Sequence, residues 1–366
     1  MKIAIFHNFL DNIGGAEMVS LILARELNAD IYTTNIDEEK IKNMGFESVL
    51  PRIFSIGKVP LNAPFRQQIA LLRFRFLNLK NKYNFYIIAG DWAMSGAVNN
   101  KPNLWYVHSP IREIWDLKDY TKNNLVTPWK RPLFEIWVAF NRHLNKKYIK
   151  SVGKIACNSQ NTANRVKKYL GRETEIIYPP IDTAKFYFNK QHNKYSAYWL
   201  SINRLISHKR IDIQLKAFEK LPQEKLIIIG SYEKSAHFQE YAEKCMKEKT
   251  NNVNIKSWVS EEEKINLLAN CNGFITTSKD EDFGMNVVEA MASGKPVIAP
   301  AEGGYLETLI NGTTGVLIEN IDEFKLAEAI KTLSADTETY KNACIEQAQK
   351  FDTAIFIGKI KRQIGF

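Results

Sequence analysis

Four groups of residues in this chain combine types and spacings that could do chemistry. Two carboxylates, Glu281 and Glu289, stand with seven residues between them in the stretch Thr276 to Pro300. Glu289 is flanked by Val287, Val288, Ala290, Met291 and Ala292, so its carboxylate reads as interior. A buried charge without a partner is costly. Two partners fit it: the vicinal hydroxyls of a ribose, which offer two donors to one carboxylate, or a core Lys or Arg. Glu281 precedes Phe283-Gly284, where a glycine lets backbone N–H groups approach an anionic or hydroxylated ligand; the plain alternative is a solvated loop acid. Arg204 and Lys209, five residues apart at a strand-to-helix turn, suit an anion clamp or an ordinary basic loop, with Arg210 beside them. His108 follows an apolar run and leads into Ser109-Pro110-Ile111-Arg112, an extended exit from a strand end. Gly14-Gly15 separates the first apolar run from the first helical pattern, a turn that also brings backbone N–H groups to a helix N-terminus.

The elements that must position these residues follow from periodicity. Short continuous apolar runs predict parallel strands at Ile3 to His7, Asp30 to Thr34, Phe85 to Ala89, Leu104 to Val107, Lys154 to Asn158 and Glu175 to Tyr178. A second series follows at Tyr198 to Ile202, Lys225 to Gly230, Asn254 to Val259, Gly273 to Thr277, Pro296 to Ala299 and Gly315 to Glu319. Between the two series, Tyr178-Pro179-Pro180-Ile181-Asp182 reads as a linker, because two prolines remove donors and fix an extended path. A helix is expected from Phe65 through Lys82, another over Phe134 to Phe140, and a short one from Gly284 to Gly294. Strands alternating with helices put the loops at the strands' carboxyl ends, where open α/β sheets bind ligands.

The whole string around the two carboxylates, Glu-x(7)-Glu with Phe-Gly after the first and Glu-Ala-Met-Ala-Ser-Gly around the second, resembles the donor-site motif of retaining glycosyltransferases of family 4. About 20 consecutive positions agree in type. The resemblance implies an α/β fold of two facing Rossmann-like domains with parallel sheets and an interdomain cleft, the GT-B type. The acceptor domain would be 1–180 with 352–366, the last helix crossing back, and the donor domain 181–351. By the same resemblance Glu289 binds the nucleotide ribose and Glu281 touches the transferred sugar, with Phe283, Gly284, Met285 and Asn286 around the donor. Arg204 and Lys209 would hold the diphosphate, Val259 the nucleobase through its backbone beside Ser257-Trp258, and Gly14 and Gly15 the phosphates or the acceptor. Tyr106-Val107-His108-Ser109-Pro110-x-Arg112 is similar to the acceptor segment of mannosyltransferases of polysaccharide assembly, which implies that His108 meets the sugar and Arg112 the acceptor.

Composition narrows the partners. Of the net charge of +10, residues 51–180 alone carry 22 Lys and Arg against seven Asp and Glu, a net +15. Such a surface suits an anionic partner. The interleaved Arg66, Arg73, Arg75, Lys80 and Lys82 among Phe and Leu fit either an anionic membrane surface or core packing with snorkelling cations, and the Trp129-Lys130-Arg131 stretch repeats the pattern. No aromatic platform for nucleic acid is visible, and none is expected as a partner. No apolar run approaches a membrane span and no leader opens the chain, so the expected location is cytoplasmic, peripheral at the inner face of the membrane. The four cysteines, Cys157, Cys245, Cys271 and Cys344, lie far apart and predict neither zinc nor disulfides. Asp280-Glu281-Asp282 is an Asp-x-Asp, a metal signature in another glycosyltransferase fold, but it overlaps the longer motif, and no cofactor or catalytic metal is expected.

The reading is therefore a retaining glycosyltransferase moving a hexose, mannose from GDP-mannose, to a saccharide or lipid-linked acceptor. A UDP-sugar donor is the alternative within that class. Outside it stand a catalytically silent nucleotide-sugar-binding or membrane-adaptor module, and a two-domain epimerase or sugar phosphorylase.

Overall fold

The computed structural model describes the chain except Ile13, residues 188–197 and 231–235, and Trp258, with the side chains of 236–238 also outside it. The chain divides into two compact units, Met1–Pro180 with Phe356–Phe366, and Ile181–Ile355. The first unit's sheet holds β1 (Ile3–Phe6), β2 (Asp30–Thr33), β3 (Ile53–Ser55), β4 (Phe85–Ile88), β5 (Asn103–Val107), β6 (Lys154–Cys157) and β7 (Glu175–Ile176). They lie in the order β3-β2-β1-β4-β5-β6-β7, every pairing parallel. The central strands β1, β4 and β5 are buried along their whole length, as a sheet covered on both faces requires. The edge strand β3 escaped the sequence reading. Two of its three residues are exposed, so it carries no apolar run, and its pairing with β2 is what makes it a strand.

The second unit's sheet holds β8 (Trp199–Ile202), β9 (Leu226–Ile229), β10 (Val253–Lys256), β11 (Gly273–Ile275), β12 (Val297–Pro300) and β13 (Gly315–Ile318), in the order β10-β9-β8-β11-β12-β13 and again all parallel. Chain order reverses between β1 and β4 in one unit and between β8 and β11 in the other. Such reversals are where open α/β sheets bind ligands, at the carboxyl ends of the strands. Loops singled out in the sequence open there: His7 to Gly15 after β1, His108 after β5, Asn203 to Arg210 after β8, and Thr276 to Gly284 after β11; so does the loop of Asp91 after β4, which the sequence reading passed over.

One helix is shorter than its sequence pattern. The run expected through Lys82 ends at Phe76, and Leu77 is already extended. The stop is set from outside the helix. Asn99 donates to the Arg75 carbonyl at 2.8 Å, and the fully buried Asn100 donates to the carbonyls of Leu77 (3.0 Å) and Gly96 (2.8 Å) while accepting from the Leu79 N–H (2.8 Å). The helix expected over Phe134 to Phe140 instead runs Arg131–Tyr148. The last helix, Thr353–Ile364, closes on the first unit: Phe356 meets the Tyr106 ring edge-on at 5.4 Å, and Lys154 donates to the Gln363 carbonyl.

All four cysteines are free and buried, and burial pushes their thiols up, Cys245 to about 11 and the other three to about 12. No described helix is long and apolar enough to cross a membrane. Asn100→Ala removes three hydrogen bonds and leaves the buried Leu79 N–H without its side-chain partner; a loss of about 2–3 kcal/mol is expected. Chemical denaturation with hydrogen exchange over residues 71–79 reads it, and unchanged protection there would show that Asn100 does not set the helix end.

Candidate functional site

In the second unit, β8 and β11 are neighbours, so the loops leaving them run side by side. Lys279 N–H donates to the His208 carbonyl at 2.8 Å, and the Thr277 hydroxyl donates to the carbonyls of Lys209 (2.7 Å) and Arg210 (2.9 Å). Buried Gln214 donates in turn to that hydroxyl at 2.9 Å. Two non-glycine residues, Arg210 (φ +50°) and Asp280 (φ +48°), take the left-handed conformation at these loops. Such residues persist where their surroundings over-determine them. Here Arg210 Nε donates to the Thr277 carbonyl at 2.6 Å and its Nη2 pairs with Glu302.

The loop is also tightly backed. A side chain at Gly303 would place its Cβ 2.5 Å from the Glu281 carbonyl oxygen, and Gly304 N–H donates to that oxygen at 2.8 Å. Gly284 (φ +90°) ends the loop and starts the helix Met285–Ala292. This fixed frame brings Lys209 Nζ to 2.5 Å from Glu281 Oε2, both side chains largely shielded. The sequence reading kept clamp and sugar-facing acid apart; the fold makes them one ion pair. Arg204 sits on the same loop and is exposed.

The neighbouring residues divide. Asn286 Nδ2 donates to the Ile202 carbonyl at 3.0 Å, tying the helix start to the end of β8. Phe283 is core: its ring packs edge-on against Phe351 at 5.4 Å and it is 2% exposed, so only its backbone belongs to the loop. Val259 lies between β10 and the helix Glu261–Asn270, and Trp258 beside it falls outside the described residues.

Glu289 is buried, and both its oxygens lie 3.1 Å from Lys264 Nζ. Of the two partners the sequence allowed, this structure shows the core lysine. Burial pushes the Glu289 carboxyl up and the Lys264 ammonium opposes that; Lys264 itself is raised, held charged by Glu289 and Glu261 against burial. Lys264 escaped the sequence reading because it follows three glutamates and looks like a solvated helix start. A signal was present: it stands four residues before buried Leu268, on the apolar face.

In the first unit, His7 joins His108 among the candidate residues at the strand ends. His7 Nε2 lies 3.2 Å from Glu17 Oε1, and its Nδ1 lies 2.9 Å from the Ser20 hydroxyl. Glu17 Oε2 accepts from Gly14 N–H at 2.8 Å, so the Gly14-Gly15 turn is fastened to the end of β1. After β4, Asp91 accepts from Asn8 Nδ2 (2.5 Å) and Trp92 N–H (2.7 Å), and burial pushes its carboxyl up. After β5, the His108 carbonyl accepts from Asn158 and Thr162, its ring meets Tyr106 edge-on at 5.1 Å, and its buried Nε2 has no hydrogen-bond partner. Burial and nearby His7 push its pKa down to about 3, so the ring is neutral. Arg112 is fastened to Asp116 Oδ2 at 2.7 Å, and buried Arg165 reaches the same oxygen at 3.9 Å and Ser109 at 3.4 Å.

A neutral histidine and several carboxylates can hydrogen-bond hydroxyls, and lysine–carboxylate pairs can exchange partners with a diphosphate; among the described residues no three His, Cys, Asp or Glu converge to hold a metal ion. Half-buried Glu113 gives a pH test. Burial and the Asp91 carboxylate push it up to about 7 from an ordinary 4.5. Between those values the folded chain keeps a proton that the unfolded chain has released, so this group lowers stability as pH rises through the window. Glu113→Gln should therefore gain thermal stability relative to wild type from about pH 5 to pH 8; a pH-independent difference would remove the shift.

Comparison with known proteins gives the arrangement a family. The model for glycosyl transferases group 1 matches residues 182–351, and the model for glycosyltransferase family 4 matches residues 13–185. The alpha-1,3/1,6-mannosyltransferase ALG2 of Dictyostelium discoideum is 26% identical over 87% of this chain and 86% of its own. A GDP-Man:Man(3)GlcNAc(2)-PP-Dol alpha-1,2-mannosyltransferase of Mus musculus is 30% identical over 50% of this chain and 42% of its own. Among solved structures, Anabaena HepE in complex with UDP and glucose superposes with a TM-score of 0.79 at 19% identity, over 100% of this chain and 99% of that one. With one family model on each of its two units, the chain belongs to the glycosyltransferases of the GT-B fold and is related to mannosyltransferases.

Proposed function

We propose that this glycosyltransferase is a retaining hexosyltransferase that moves mannose from GDP-mannose to a saccharide or lipid-linked acceptor. The observation that carries the reading is the Lys209–Glu281 pair at the sheet's reversal point, held between two left-handed loop residues. In the reaction the bond between the sugar's anomeric carbon and the diphosphate oxygen breaks. The acceptor oxygen bonds to that carbon on the same face, and its proton passes to the departing diphosphate. The main demand is charge on the leaving phosphates. Lys209 turns from Glu281 toward them, joined by Arg204 and the helix N–H groups after Gly284; such donors act most strongly where water is excluded. Glu281, released from its counter-ion, orients the sugar and is not assigned as a nucleophile. Neutral His108 hydrogen-bonds the transferred sugar, Arg112 stands on the acceptor side, Glu289 takes the ribose, and Val259 takes the base through its backbone. No cofactor or metal enters this scheme.

The choice of mannose leans on the names of the two mannosyltransferase relatives. A UDP-sugar is the second reading, favoured by the UDP and glucose bound in Anabaena HepE. Thermal shifts with GDP, UDP and ADP decide between them, because ligand at about 100 times its Kd adds ~2.7 kcal/mol. Stabilisation by GDP above UDP supports mannose; the reverse order replaces it. Lys209→Ala should then lower kcat about 100-fold, ~3 kcal/mol, and unchanged turnover removes Lys209 from the leaving-group role.

We also infer that the first unit works on an anionic membrane surface at its cytoplasmic face. The helix Phe65–Phe76 buries Ala70, Leu71 and Phe74 but exposes Phe65 (68%), Leu72 and Phe76 (75%). Gln68 donates at 2.9 Å to Asn141 of the helix Arg131–Tyr148, which exposes Leu133, Ile136 and Phe140, with Trp129 just before it. One side of the helix is thus packed into the core, and the exposed side supports the membrane reading. Arg66 leaves the membrane-facing set, being fastened to Asp11 and lying over the Phe9 ring. A net +15 over residues 51–180 favours anionic lipid over an apolar protein partner. Co-sedimentation with phosphatidylglycerol vesicles at low salt should occur and weaken in the Phe76→Ser/Trp129→Ser variant. Wild-type protein that stays in the supernatant would end the membrane assignment.

A further inference from the structure

Four charged groups of the second unit meet at Glu289. Lys264 Nζ reaches both Glu289 oxygens at 3.1 Å and Glu261 Oε2 at 3.0 Å, and Lys185 Nζ reaches Glu261 Oε1 at 2.9 Å. Two carboxylates and two ammoniums leave no net charge. An ammonium has three protons, and these three acceptors use them all. Lys264 is therefore a saturated hub, shielded to 14% exposure of its side chain. Helix Lys341–Gln349, packed along the Glu289 helix, brings Lys341 toward Gly294 and the thiol of Cys344 to the Thr314 carbonyl, so the charges at Glu289 come from the Lys264 and Lys185 helices.

A single cation on both oxygens does two things to a carboxylate. It fixes the plane of the group, and it offsets the burial that would otherwise favour the acid form. Each oxygen keeps a second lone pair, so the group still offers two acceptors side by side, the arrangement that matches two neighbouring hydroxyls.

We propose that Lys264 is the positioning residue of a ribose subsite, holding the Glu289 carboxylate ionised and turned so that its remaining lone pairs accept from a nucleotide's cis-diol. This rests on the reading of Glu289 as the ribose ligand. Lys264 itself does not touch the nucleotide. The Lys185–Glu261 pair acts one step further out, keeping the third Lys264 proton engaged.

The test is calorimetric binding of GDP and UDP, and of their 2′,3′-dideoxy analogues, from about pH 6 to about pH 8, in wild type, Lys264→Met, Lys264→Arg and Glu289→Ala. Wild type prefers the ribose form about tenfold or more at every pH, since two hydrogen bonds to a charged group are at stake. Lys264→Met keeps the binding common to both forms but loses most of the ribose preference, and loses more toward the acid end, where the unpaired buried carboxyl gains a proton. Lys264→Arg restores the preference and its flat pH profile. A Lys264→Met protein with full, pH-independent preference overturns the proposal while Glu289→Ala, by losing that preference, keeps the ribose reading. If Glu289→Ala also keeps it, the ribose reading itself has failed. Should Lys264→Met not fold, the infrared difference between wild type and Glu289→Gln at about pH 6 decides: a carboxylate band supports the hub, and a carboxylic acid band overturns it.

Discussion

Every strand in both sheets runs parallel to its neighbours, and most of the rest follows from that constraint. Parallel strands end at one edge, so each sheet delivers all its strand-to-helix loops to the same side. Where chain order reverses lies the place at which open α/β sheets bind ligands. In the second unit the loops at that place come from β8 and β11, and they carry the basic segment and the two-carboxylate segment. In the first unit they come from β1 and β4, with β5 beside them, and they carry His7, Asp91 and His108. Topology thus gathers residues that lie far apart in the chain, and hydrogen bonds between backbone and side chain then lock the loops at ångström scale.

The gathered charges are already matched. Lys209 has Glu281, Arg210 has Glu302, Lys264 has Glu289 and Glu261, and Arg112 has Asp116. Partly shielded charges without partners would be expensive, and these side chains serve as one another's counter-ions. In the proposed reaction a ligand's phosphates and hydroxyls would enter by partner exchange. The free-energy gain of binding is the difference between two sets of pairings, and selectivity between nucleotides is a difference of such differences.

The sequence was most legible where a residue's fate depends on its neighbours in the chain. Apolar runs marked twelve strands, and the Pro179-Pro180 break fell where the chain passes from one unit to the other. It was least legible where a distant residue decides. The Phe65 helix stops at Phe76 because of Asn99 and Asn100, which lie more than twenty residues later. Strand β3 exists because β2 offers it an edge. Lys264 looked like one more charge in Glu-Glu-Glu-Lys until the fold set it against Glu289. The site was similarly divided: the motif residues were read directly, whereas the pairings of Arg210 with Glu302, His7 with Glu17 and Arg112 with Asp116 appear only in the fold.

The cysteines give the molecule a practical property. With all four thiols buried and raised to about 11 or 12, the thiolate fraction at neutral pH is roughly one part in ten thousand or less. Alkylating reagents and maleimide dyes react with thiolates, so the natural chain is nearly silent toward them. A single cysteine placed on an exposed loop would then take a fluorophore or spin label at one address, with the native residues left in place.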